Sequence, residues 1–179
     1  MLNKSKLLTI IIGSIALFSL NIPAIAHSKI TNQSKVFING IGSVQVGMTV
    51  AQASKAAGTK LVTSGKEPLC SYYTLQNGTK DIAFMVTNGR IARVDVLKGR
   101  ITTASGARIG DTETRIKALY PGQIKVSRHE YNSKGHYLTF VPKDKSDKNF
   151  GVVFETDGKR VTQYRSGKQP ELQFVEGCS

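Results

Sequence analysis

The sequence is short of the residues that carry most familiar chemistry. It has three histidines, two cysteines, and twelve acids against 25 lysines and arginines. No G-x-S-x-G elbow and no S-x-x-K occurs, so no serine sits in a recognisable nucleophile setting. No G-K-[ST] loop and no G-x-G-x-x-G follows a strand-like run, which argues against a P-loop and a dinucleotide fold. Cys70 and Cys178 lie far apart with no nearby pair of further ligands, a poor pattern for zinc. No RNP-like aromatic motif is present, so the basic charge does not read as a dedicated nucleic-acid surface. No cofactor is expected.

Long apolar runs are also missing after residue 26, and nothing beyond it can span a bilayer as a helix. Residues 1–26 are different. Lys4 and Lys6 precede the apolar run Leu7 to Leu20, and Ala24 and Ala26 form an A-x-A site, the pattern of a cleaved signal peptide. The rival is an uncleaved membrane anchor, but the run is shorter than the ~20 residues that a span needs. No cysteine follows the site to carry a lipid. The expected product starts at His27 and is secreted or periplasmic. It loses two lysines and no acid, leaving 23 basic against 12 acidic residues, a net charge of +11. Such a balance favours an anionic partner; the plain alternative is a charged, solvated surface. An even cysteine count in an exported chain points to a Cys70–Cys178 disulfide, with two buried free thiols as the alternative. In the loop-entropy model a bond closing so long a loop contributes roughly 4 to 5 kcal/mol.

What is present is a repetition. Val46-Gly47-Met48-Thr49 returns 63 positions later as Ile109-Gly110-Asp111-Thr112. After each, apolar residues fall three and four apart, as one helix face requires. Thr49 with Gln52 fits a capping box, and Asp111 or Thr112 can cap the second helix. Residues 82–96 and 151–165 each read as strand, Asn-Gly or Asp-Gly turn, strand. Further strands are expected at 69–75, 136–142 and 172–179, with 143–149 as an insertion. The alternation around Ile82 to Val86 and Phe150 to Phe154 predicts sheets with one packed and one more open face. The fold expected is α+β: two tandem repeats, 39–103 and 104–179, each a short helix followed by an antiparallel meander, with the sheets abutting. Residues 27–38 are expected to be a flexible lead-in.

The opening "VGMTVAQA" with its helix and meander resembles the tandem-repeat beta-lactamase inhibitor protein family and the small outer-membrane assembly lipoproteins of the BamE/SmpA type. The match spans about four residues in the first copy, and in the second Asp111 stands where Met is expected. The inhibitor family carries a disulfide within each half, and the lipoproteins a lipidated cysteine; neither is found here. The resemblance implies a protein-binding scaffold of the export compartment and no chemistry.

The candidate binding set is basic and aromatic: Arg160, Thr162 and Tyr164, two apart and so on one strand face, with Arg108 and Tyr120 nearby. Arg165 falls on the opposite face. The function expected is a non-enzymatic binding module that meets a protein or an anionic cell-envelope polymer through this sheet face. The alternative is a small secreted hydrolase or metal-dependent enzyme using His129, Glu130 and His136. Glu155 and Asp157 flank a turn; a hydrolase pair would need facing positions in a cleft, and Asp157 reads as a turn residue. Amino-terminal sequencing of the exported protein is expected to begin at His27; a product beginning at Met1 would identify an anchor instead.

Overall fold

The computed structural model describes residues 29–178 apart from 64 and 66–68. The signal peptide read at 1–26 lies outside the described residues. Among them the chain runs through twelve strands and two α-helices. The strands are β1 (Lys35–Phe37), β2 (Gly40–Ile41), β3 (Val44–Gln45), β4 (Leu61–Val62), β5 (Cys70–Leu75), β6 (Ile82–Thr87), β7 (Arg90–Val96), β8 (Thr102–Thr103), β9 (Ile124–Arg128), β10 (His136–Phe140), β11 (Phe150–Thr156) and β12 (Val161–Lys168). The helices are α1 (Val50–Ala56) and α2 (Glu113–Leu119).

Both helices start where their caps predict. Thr49 Oγ1 accepts from Gln52 N at 3.2 Å while Gln52 Oε1 accepts from Thr49 N at 2.9 Å, a complete capping box. Thr112 Oγ1 accepts from Arg115 N at 3.2 Å. Seven residues are too few for a helix to persist alone in water. Each is held by what it buries: Ala53 and Ala56 from α1, and Ile116 from α2.

The strands correct the expectation of two helix-plus-meander repeats. The structure is mostly β, and β4 to β7 and β9 to β12 do not form two abutting sheets. They form one eight-stranded antiparallel sheet, in the order β4-β5-β6-β7-β12-β11-β10-β9. Its seam is β7 against β12, where Tyr164, Arg165, Ser166 and Gly167 face Val96, Asp95, Val94 and Arg93. One apolar core runs across it, from Ile30 and Val36 through Phe84 and Val94 to Phe154 and Tyr164. Neither half has a core of its own. Local turns legible in sequence fix which neighbours pair; they do not fix which outer edges meet.

Two further expectations change. A four-stranded sheet, β3-β2-β1-β8, is mixed, since β1 runs parallel to β8. It includes part of the span expected to be flexible, Lys35–Phe37, and both Val36 and the preceding Ile30 are buried. Residues 172–178 form no strand. They begin within a 3₁₀ turn, Glu171–Gln173, and lie across the sheet face opposite the core, where Leu172 packs on Tyr137 and Val153. This cover is why Ala83 and Met85 are buried although they point away from the core. The 143–149 insertion carries an exposed 3₁₀ turn, Lys145–Asp147.

The seam leaves no room for a side chain at Gly167, where an added Cβ would meet the Ala92 carbonyl at 2.5 Å and Arg93 Cα at 2.8 Å. Both obstacles are backbone and cannot swing away. Gly167→Val is expected to lower unfolding free energy by at least the ~1–3 kcal/mol typical of overpacking, read from urea melts; unchanged stability would mean the seam can spread.

Candidate functional site

The residues chosen from sequence as one sheet face divide. Thr162 is the extra residue of a β-bulge: Glu155 pairs with Gln163 and Thr156 with Val161, leaving Thr162 without a partner. The bulge breaks the two-residue alternation. Val161 and Tyr164 therefore both enter the core, and Tyr164 is 1% exposed. Its hydroxyl donates to Ile101 O at 2.9 Å, and burial pushes its pKa well up. Tyr120 is buried too, with its hydroxyl 2.7 Å from Thr103 Oγ1 and its ring 4.8 Å from that of Phe140. The aromatic half of the expected face is core.

The basic half lies in a different setting. Arg108 and Arg160 line one open cleft of about 500 Å³ with Arg100 and Arg115. The turn before α2 is stitched to the start of β12 by Gly110 N to Val161 O, 2.8 Å, and Val161 N to Asp111 O, 2.9 Å. Asp111 is the hub. Its carboxylate, 8% exposed, accepts from Arg108 N at 3.0 Å, lies 3.2 Å from Arg115 Nε and 3.8 Å from Arg108 Nε. Arg160 Nη1 donates to Gly110 O at 2.7 Å, which braces the guanidinium over the turn. Arg100 comes from the loop after β7. Four guanidinium groups thus line one cleft with one carboxylate, which pairs with two of them. Arg100 and Arg160 make no ion pair among the described residues. Each guanidinium has five donors, so the cleft keeps donors for an anion.

The histidine constellation does not assemble. Arg128 pairs with His136 across β9 and β10, so His129 and His136 project to opposite faces of the sheet. His136 Nδ1 lies 2.8 Å from Glu113 Oε1. His129 stacks on Tyr137 at 4.5 Å, with Nε2 3.5 Å from Glu155 Oε2. Glu130 is exposed. No group of three metal-ligating side chains occurs among the described residues. Asp157 is the turn residue expected, with Oδ1 accepting from the amides of Lys159 and Arg160 at 2.8 Å each. Glu155 is not one. It is buried and ion-paired to Arg165.

Glu155 belongs to a cluster that sequence reading missed. On the covered face of the sheet, Arg93 Nε lies 3.0 Å from Asp95 Oδ1, and Arg93 Nη2 donates to the Tyr72 hydroxyl at 2.5 Å. Glu155 also accepts from Gln163 Nε2 at 2.7 Å. Burial pushes the Asp95 carboxyl up, and Arg93 pulls against it. A signal existed: Arg93 and Asp95 alternate with Val94 and Val96 in a strand whose apolar neighbours are all buried. Charges on the second face of such a strand must pair, because burying one alone is costly. Cys70 and Cys178 are bonded, 5.3 Å apart at Cα, which pins the end of the covering segment to β5.

No family model matches this sequence, and no curated protein matches it. Among solved structures the chain is similar to the crystal structure of the uncharacterized protein YfeY from Escherichia coli, at 16% identity and a TM-score of 0.50. The likeness covers 75% of this chain and 99% of that one. At this identity it is a likeness of fold alone.

Glu113 ties α2 to the sheet and generates a pH test. Burial would raise its pKa, but hydrogen bonds from Thr156 and His136 outweigh burial and hold the carboxyl below the ordinary glutamate value. A depressed carboxylate contributes stability that is full above the unfolded-state pKa and is lost as pH falls through the folded one. The difference in Tm between the native chain and Glu113→Gln is expected to shrink as pH drops from about 6 to about 3. A difference that stays constant would show that the charge contributes nothing.

Proposed function

We propose that the protein is a non-enzymatic binding module of the cell envelope that holds an anionic polymer in the arginine cleft. The observation that carries this reading is one cleft lined by Arg100, Arg108, Arg115 and Arg160 with a single carboxylate, Asp111, paired to two of them. Planar guanidinium groups suit phosphate and carboxylate oxygens because two donors can engage at once. The cleft is open, which fits a chain lying through it better than a small molecule enclosed by it. The net positive charge would raise the encounter rate and make binding salt-dependent. Export rests on residues 1–26, and the Cys70–Cys178 bond suits an oxidising compartment.

Titration calorimetry with a poly(glycerol phosphate) chain, and with a neutral glycan as control, tests the reading. Binding to the anionic chain alone is expected, weakening as salt rises from 50 to 200 mM. The double change Arg108→Ala and Arg160→Ala is expected to weaken it tenfold or more, since a charge-assisted hydrogen bond contributes ~1.5–3 kcal/mol. Lys143→Ala with Lys145→Ala, on the exposed insertion, should change it little. Equal loss in both pairs would leave only a diffuse surface charge, and equal retention would place the ligand elsewhere.

A further inference from the structure

The covered face of the sheet holds more acceptors than its arginines serve. Arg93 directs Nη1 to the carbonyls of Glu171 and Phe174, at 2.8 Å each, and Nη2 to the Tyr72 hydroxyl. Only its Nε faces Asp95, 3.0 Å from Oδ1 and 3.1 Å from Oδ2. Arg165 directs Nε to the Leu172 carbonyl at 2.7 Å and meets Glu155 through Nη1. An ionised carboxyl offers about four acceptor sites. Asp95, with its side chain 10% exposed, thus has acceptor sites that no donor among the described residues fills. Burial pushes the Asp95 carboxyl up, Arg93 and Arg165 pull against it without cancelling it, and the neighbouring Glu155 carboxylate adds to the rise.

These groups line a cavity of about 390 Å³ beneath the C-terminal segment, a volume in the range of small-molecule sites. Its apolar lining comes from Ala83, Leu97 and Val175. Leu97 is 48% exposed and Glu176, also in the lining, is exposed, so the cavity meets solvent on their side. Among the described residues the lining sets Asp95, Glu155 and Glu176 against Arg93 and Arg165, an acidic balance on a strongly basic chain. An anion entering here would face Asp95 and Glu155. A wholly apolar molecule would displace water from Asp95 and give it no donor, which is costly. A primary ammonium brings three donors and one positive charge.

We propose that this cavity binds a compact primary alkylammonium cation, whose ammonium group donates to Asp95 and whose short hydrocarbon chain lies against Ala83, Leu97 and Val175. The cation supplies the donors that Asp95 lacks and offsets the excess carboxylate charge of the lining. The inference is independent of the arginine cleft, which lies elsewhere on the fold and takes a ligand of the opposite sign.

The test is a ¹H–¹⁵N NMR titration with n-butylammonium, with 1-butanol and butyrate as the uncharged and anionic controls. Only the amine is expected to give saturable shifts, centred on Asp95, Gln163 and residues 175–177. The ¹³C carboxyl resonance of Asp95 is expected to titrate at lower pH with the amine bound, since a neighbouring cation favours the ionised form. Asp95→Asn is expected to weaken amine binding about tenfold or more. Ala83→Leu, which fills the cavity and changes no charge, is expected to abolish it. Asp95→Asn leaves Arg93 without its carboxylate and can fail to fold; the carboxyl titration reads the same contact in the native chain. No saturable shifts with the amine, equal shifts with butanol, an Asp95 titration that the amine does not move, native affinity in folded Asp95→Asn, or full binding by folded Ala83→Leu would each overturn the proposal.

Discussion

The antiparallel seam between β7 and β12 is the constraint from which the rest of the structure follows. Without it the strands on either side would be two small meanders, each under a seven-residue helix and too thin to exclude water from a core. With it, Phe84 and Val94 from one side share a core with Phe154 and Tyr164 from the other. The approach is close enough that Gly167 lies directly over the Ala92 and Arg93 backbone. The same pairing sets Arg165 opposite Asp95, which gathers charge on the far face of the sheet.

That far face is where the chain departs from an ordinary one-sided sheet. Arg93, Asp95, Glu155 and Arg165 are all buried, a costly arrangement unless each charge is paired and each donor used. Arg93 meets the condition with a carboxylate, a phenol and two backbone carbonyls. Those carbonyls belong to a segment with no ladder partner. The ions therefore do more than balance one another: they satisfy the main chain of an irregular strand of polypeptide that would otherwise lie on the sheet with its polar groups bare.

The legible and illegible parts of this molecule divide along the range of the interactions. Thr49 and Thr112 mark helix starts through contacts three residues long, and the sequence shows both. Asn88-Gly89 marks a hairpin for the same reason, both residues having positive φ. The strand at 172–179 was misread because Leu172, Phe174 and the residues between alternate like a strand, yet no sheet edge lies within their reach. The expected binding face divides at both of its aromatics: Tyr120 is core, and the bulge at Thr162 moves Tyr164 to the core, a bulge that no local pattern announces. Arg108 and Arg160 stand out in the sequence by their chemistry, while Asp111, whose carboxylate Arg108 meets, reads there only as a possible cap.

Cys70 and Cys178 are separated by 108 positions, and β5 to β12 are made between them. The tie therefore cannot close while the chain is still threading out. Every strand of the seam must already have emerged before the last sulfur arrives. The covalent tie is a record of length: a molecule that carries it has been made through residue 178, and one that stops short displays an unclaimed thiol at residue 70.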